Sequence, residues 1–409
     1  MPHRRAFLSS SLGASTLVSL GLDVPRLFVR TAAAAEAAQG ERVLVVLQLS
    51  GGNDGLNTVV PYADPLYGKN RIALNVGVDQ VHRLDREVGL HPAMRSFAKL
   101  LEAGRLAVVQ GVGYPNPDRS HFSSMDIWHT ARHDLAQQRE GWLGRYVERY
   151  ESARGAGSDA AALHLGGGVL PLALVGRSTA VPSIDAVERF RLRGTPAEVD
   201  ARHRMQRMKR SNPSDMLAFL QRTTVAAVDS SRRVQEALAS KPTAAAYPDR
   251  TLAKKLQTIA QMIDAGLRTR IYYVSLDGFD THANQKQTHA ALLGELSDSV
   301  AAFVHDLDER GHLDRTCVLM FSEFGRRVKE NASLGTDHGA AGPVFLAGGG
   351  VKAGVVGTHP SLDALDREGD LKFHTDFRSI YATLLDGRLG ASSRDVLQAD
   401  FARLDLLSS

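Results

Sequence analysis

The chain has 409 residues, 43% hydrophobic and 23% charged, a balance that excludes a disordered tail protein and a multi-span membrane protein. A single cysteine, Cys317, excludes a disulfide framework and any cysteine-based zinc or iron–sulfur site within one chain. The formal charge is +4, but four arginines and only one acidic residue fall in the first 35 residues, so the remainder is nearly neutral and offers no argument for a nucleic-acid partner.

The first segment reads as an address. Arg4 and Arg5 precede Ala6, Phe7 and Leu8, and a weakly apolar run follows over 12–22, too short and too rich in Ser and Gly to span a bilayer. The alanines at 32–35 then offer a small-residue exit. Basic start, apolar middle and small-residue end make a secretory signal over 1–38, and the arginine pair resembles a twin-arginine signal. That implies the twin-arginine export machinery as a partner, the periplasm or cell envelope as destination, and no transmembrane domain once the signal is removed. An uncleaved amphipathic anchor is the alternative. Residues 39–409 then form a single domain.

In chain order, 43–49 (VLVVLQL) is an apolar run of the kind a parallel sheet buries on both faces. It stops at the turn SGGNDG, residues 50–55. A helix is expected over 93–101, closed by Gly104, then a strand over 106–109 and a helix over 120–136. Short strands are expected over 163–165 and 172–175. Residues 150–160 form the weakest joint in the body. Residues 195–240 are polar and helical in pattern, with Met205, Met208 and Met216 at core spacings rather than in a cofactor box. A helix over 251–266, a strand over 271–276, a helix over 287–310, strands over 316–321 and 343–347, and a helix over 374–385 complete the chain. Strands alternate with helices, so the fold class is α/β with a mostly parallel sheet.

Polar groups collect where these strands end. Asn53 and Asp54 follow the first strand; Arg119, Ser120 and His121 follow the second; Asp280 and His282 follow 271–276; Glu323 and Arg326 follow 316–321; Asp337 and His338 precede 343–347. Ligand sites in open α/β sheets lie outside the carboxyl ends of strands, so these groups can converge. Carboxylates and imidazoles are the donors a divalent ion takes. Each group also has a plainer reading. Asp54 suits a Gly-rich turn, Ser120 a helix N-cap, Asp280 and His282 a solvated loop, Glu323 an ion pair with a following arginine, and His338 a capped turn. His129 and His133 share a helix face but lack an H-E-x-x-H pattern and read as surface residues. Trp128 and Trp142 read as core or groove aromatics. GGNDG lacks the spacing of a dinucleotide fingerprint.

The segments LVVLQLSGGNDGLNTVVPY, RSHFSSMDIWHT, DGFDTHANQ, FSEFGRRVKENASLGTDHGAAGPVFLAGGGVKAG and FHTDFRSIYATLL, in this order, resemble the DUF1501 family of exported bacterial proteins over about residues 41–390. That family is similar in turn to the alkaline phosphatase and sulfatase superfamily. The resemblance implies a three-layer α/β/α sandwich, alkaline phosphatase-like, with a hydrolase site that holds one or two divalent metal ions, zinc, calcium and manganese all being admissible. It assigns metal binding to Asp54, Asp280, His282, Glu323 and His338 and the nucleophile to Ser120, with Ser123 or His121 as substitutes. Asn53, Arg119, His121 and Arg326 are expected to bind substrate, and Asp337 to back a ligand. The chain departs from the pattern in three places: the Asp-to-His spacing is D-x-H, Phe324 stands where a histidine is expected after the later acid, and Ser120 carries no signature of its own. Two functions follow as expectations. One is a metal-dependent hydrolase of small-molecule or polymer phosphate or sulfate esters. The other is a catalytically inactive scaffold of the same fold that binds a protein or polymer in the periplasm.

Overall fold

Strand β1, Val43–Ser50, is apolar at almost every position because both its faces are covered. Val43, Val45, Leu47 and Leu49 point into one cluster, and Leu44 and Val46 into another on the opposite face. The computed structural model describes residues 41–134, 139–154, 159–179, 181–184 and 245–408, of which 151–154 by backbone alone. The signal segment, residues 195–240 with their methionines, and the middle of the 150–160 joint lie outside the described residues. Arg42–Ser409 groups as one compact unit.

After β1 come β2 (Val59–Val60), β3 (His82–Arg83) and β4 (Gly89–Leu90), which form a small antiparallel sheet the sequence did not announce. Helix α1 (Arg95–Glu102) leads to β5 (Leu106–Gly113), and α2 (His121–Thr130) and α3 (Trp142–Arg154) lead to β6 (Ala162–Leu165) and β7 (Ser183–Ile184). Then come α4 (Thr251–Asp264), β8 (Ile271–Asp277), α5 (Gln285–Glu309), β9 (Thr316–Phe321), β10 (Gly342–Gly348), β11 (Gly354–Val356), β12 (Thr375–Asp376) and α6 (Phe377–Leu384). The large sheet has nine strands in the order β11-β5-β10-β9-β1-β8-β6-β7, with β12 also on β5. Strand β1 pairs in parallel with β8 and β9, while β10 is antiparallel to both its neighbours, β9 and β5. Only β10 runs against the rest. The sheet is therefore mostly parallel, as expected. Helices α1, α4 and α5 cover one face, and α2, α3 and α6 the other, which gives three α/β/α layers.

Three local expectations need correction. Residues 172–174 form a 3-10 turn instead of a strand. Helix α2 ends at Thr130, because Ala131 adopts a left-handed conformation with φ 58° and turns the chain away. His129 is buried, not a surface residue: its Nε2 meets Gln48 Oε1 at 3.1 Å and Tyr273 Oη at 3.0 Å, and burial lowers its pKa to about 3. His133 is exposed. Trp128 and Trp142 are core residues, with Trp128 stacked on Phe321 and Phe377. Among the described residues no helix is long and apolar enough to cross a membrane.

The reversal of β10 has a positional effect. Its amino end, not its carboxyl end, lies at the carboxyl edge of its neighbours. Asp337 and His338, which precede it, therefore arrive at the same edge as the residues that follow β1, β8 and β9.

Candidate metal centre

Three imidazoles meet Asp280 at this edge. His282 follows β8, His338 precedes β10, and His121 opens α2. His282 Nε2 lies 3.0 Å from Asp280 Oδ1, and His338 Nε2 lies 3.1 Å from the same oxygen. The two Nε2 atoms are 3.0 Å apart. His121 Nε2 is 3.5 Å from Asp280 Oδ2 and has no hydrogen-bond partner. Among the described residues, donor atoms of His121, Asp280 and His338 fall within 4.8 Å of one another.

The opposite ring nitrogens each meet an oxygen acceptor. His338 Nδ1 is 2.8 Å from the Arg119 carbonyl, His121 Nδ1 is 2.9 Å from Glu323 Oε1, and His282 Nδ1 is 3.3 Å from Asp337 Oδ1. Carbonyl and carboxylate oxygens only accept, so each Nδ1 carries the proton and donates. In the neutral rings every Nε2 then presents a lone pair to the same small space. Lone pairs facing each other at 3.0 Å repel unless a cation stands between them. Ligands bound to one zinc ion at ~2.0–2.1 Å in tetrahedral array stand roughly 3.3 Å apart, close to the separations here. The donor set thus fits one divalent ion held by Asp280, His282 and His338, with His121 beside it. Histidines whose far nitrogen donates to an oxygen are the usual ligand arrangement.

Burial opposes the charge on Asp280, but the hydrogen bond and charge of Arg326 outweigh it and hold its pKa down at about 2. The Glu323 hydrogen bond raises the pKa of His121. Burial lowers that of His338. Asn331, donating to Asp337, together with His282, keeps Asp337 below the usual carboxylate range. Phe324 takes the place of the expected histidine and packs its ring 5.0 Å from His121 and 4.6 Å from His338.

The turn 51–52 explains the glycines of SGGNDG. Gly51 has φ +117°, and a Cβ there would stand 2.3 Å from the Asp280 backbone nitrogen. Only glycine lets the end of β1 come this close to the ligand loop.

Four expected site residues have other work. Asp54 is fully buried in a two-pronged ion pair with Arg71, at 2.5 and 3.0 Å, and also accepts from Gln285. Burial alone would raise its pKa, and Arg71 overrides that and lowers it. With both oxygens engaged, it is an anchor, not a ligand. Glu323 accepts from Gly51 N and His121 Nδ1 on Oε1 and from Ser322 on Oε2, so it backs His121. Arg326 is buried; it donates to the carbonyls of Gly51, Gly52, Phe279 and Thr336 and to Asp280, so it aims Asp280 and does not face a substrate. Asn53 is buried and accepts from Thr58 and His289.

Arg119 is partly exposed at the rim and pairs with Glu368 and Asp370. Ser120 occupies the N-cap of α2, yet its side chain makes no capping bond and is exposed. Ser123 is half-buried, and the next residue, Ser124, is buried, donating to the Glu323 carbonyl. Arg71 and Gln285, which sequence reasoning missed, carry no motif, and only their burial among charges reveals them.

A family model described as "Protein of unknown function (DUF1501)" matches residues 41–386, and the chain belongs to that family. No curated protein matches. Among solved structures, the chain is similar to a PsFucS1 sulfatase from Pseudoalteromonas sp., with 14% identity over 94% of this chain and 75% of that one, TM-score 0.43. It is also similar to a protein in the alkaline phosphatase superfamily from Vibrio parahaemolyticus, with 9% identity over 89% and 72% and TM-score 0.40. A third is the C-terminal periplasmic domain of EcEptC from Escherichia coli, with 11% identity over 90% of each chain and TM-score 0.36.

Proposed function

We propose that this DUF1501 chain is an exported hydrolase of phosphate or sulfate esters that works with one divalent metal ion. The observation that carries the reading is the convergence of three imidazole Nε2 atoms on Asp280, each ring locked through Nδ1 by an oxygen acceptor. Asp280, His282 and His338 hold the ion, and His121, backed by Glu323, either completes its shell or faces the substrate. When bound, such an ion polarises an ester oxygen and neutralises the charge that builds on it. Ser120 is the nucleophile in this reading: its hydroxyl is exposed beside His121 and is not engaged in capping α2. The free N–H groups of the first turn of α2 favour an anionic group there. Arg119 adds positive charge at the rim.

The first 38 residues direct export by a twin-arginine route to the periplasm or cell envelope, and residues 39–409 form the working domain. The test is metal analysis of the purified chain together with assays on aryl phosphates and aryl sulfates. A chain that binds no divalent ion rejects the mechanism. A Ser120→Ala variant as active as its parent rejects the nucleophile alone.

A second reading, a scaffold of this fold that binds a periplasmic protein or polymer without catalysis, is favoured by one observation. Arg71 occupies Asp54, which removes a carboxylate that a second ion would need. An ion-loaded chain inert toward both ester classes and retained on a periplasmic partner would support it.

A further inference from the structure

His282 and His338 come from two loops, 280–285 and 331–338, that are distant in sequence and zipped together in space. Thr336 N donates to the Thr281 carbonyl at 3.2 Å, Asn284 N to Ser333 at 3.0 Å and Gln285 N to Leu334 at 2.9 Å. Asn331 Nδ2 donates to the His282 carbonyl at 3.0 Å. Two buried side chains reach beneath both, Arg326 and Gln285. Gln285 is fully buried at the first position of α5, and its Oε1 accepts from Thr281 Oγ1 at 3.1 Å and from Thr336 Oγ1 at 2.6 Å. Its amide nitrogen donates to Asp54 Oδ2. Thr281 lies between Asp280 and His282, and Thr336 lies two residues before His338.

The foot of this arrangement is fixed. Asp54 follows β1, and Arg71, which grips it, also donates to the carbonyls of Arg327 at 2.8 Å and Val328 at 2.7 Å. A continuous buried path therefore runs from the central strand through Asp54 and Gln285 to both ligand loops. A carboxamide suits the junction. It offers one oxygen that accepts twice and one nitrogen that donates to a carboxylate, whereas Glu would set a second negative charge against Asp54 and Lys would offer no acceptor.

We propose that Gln285 is a positioning residue: by tying Thr281 and Thr336 to Asp54 it sets the spacing of His282 and His338, and with it the affinity for the divalent ion. The inference rests on the one-ion reading above. It makes Asp54 the anchor of the centre at one remove.

The test uses the full chain, freed of metal by chelation, and Zn²⁺ alone as probe, with Kd read by chelator competition. Gln285→Met keeps the length and removes both bonding functions. Thr336→Val removes one bond at constant shape and is the milder variant should the first fail to fold. Each is expected to weaken Zn²⁺ binding 10–100-fold, the range for groups that orient ligands. The double variant should be weaker than the worse single by less than about threefold, since both act through the same bond. Tyr247→Phe, which removes a half-buried hydrogen bond to Asp306 near the far end of α5, serves as comparator; it should lower the melting temperature and leave Kd unchanged. A parent that binds Zn²⁺ and variants with the parent's Kd would overturn the positioning role and leave the centre standing. A parent that binds neither Zn²⁺, Mn²⁺ nor Ca²⁺ would remove the centre itself.

Discussion

Asp54 and Asp280 each follow a parallel strand of the same sheet, and the protein uses them in opposite ways. The Asp54 side chain is 0% exposed and is neutralised by Arg71. The Asp280 side chain is 48% exposed; Arg326 holds its Oδ1 at 2.7 Å, and the ring nitrogens of His282, His338 and His121 lie around it. A carboxylate buried with its own cation is a strut whose charge is already answered. A carboxylate that an arginine holds by one oxygen only, and that water reaches, keeps its second oxygen to offer an ion. The letter in the sequence is the same and each has an arginine; the number of oxygens the arginine engages and the access to water decide the role.

The comparison breaks most visibly at Arg71. Arg71→Met leaves Asp54 buried and uncompensated and should cost about 3–5 kcal/mol in urea unfolding. Asp280→Asn, which keeps an acceptor oxygen for the buried Arg326, should cost the metal-free protein less than Arg71→Met does while abolishing ion binding. Equal losses at the two sites would erase the distinction.

Acid sharpens it next. Burial lowers the pKa of His129 to about 3 and that of His91, His164 and His289 to about 4. Each of these folded values lies below the unfolded one, so protons bind the unfolded chain more tightly. The stability held by neutral rings is complete above pH ~6.5 and falls as pH drops toward 4, by at most about 1.4 kcal/mol per pH unit per histidine. Asp54, whose pKa is also lowered, adds a further loss at more acid pH. Urea midpoints across pH 4 to 8 should show this slope, and His129→Gln should reduce it.

Among the groups behind the ligands, Glu323→Gln and Asp337→Asn should each weaken Zn²⁺ binding about 10–100-fold with small changes in melting temperature. The smallest expected effect is at Ser120. A Ser that caps a helix costs ~1 kcal/mol when replaced by Ala, but this one makes no capping bond. Ser120→Ala should therefore change stability by less than ~0.5 kcal/mol while removing ester hydrolysis.

Much of the fold was legible because it rests on local pattern. The runs 43–49, 271–276 and 316–321 are apolar at nearly every position, which only a doubly covered strand tolerates. Asp280, His282 and His338 were legible as a candidate site because they flank such strands. Asp54, Glu323, Arg326 and Asn53 drew the same expectation and proved to be supports. Their partners, Arg71, His121, the turn carbonyls and His289, lie far away in sequence or on the main chain, where no spacing rule reaches. The short strands β2, β3, β4, β11 and β12 have two or three residues each and leave no periodic trace.

One hydrogen bond has a wider consequence. His338 leans on the main-chain carbonyl of residue 119, not on the arginine side chain. Any amino acid at that position brings the same oxygen, so the imidazole keeps its aim whatever group decorates the rim. Substitution at position 119 can thus change the charge of the rim without moving the His338 ring.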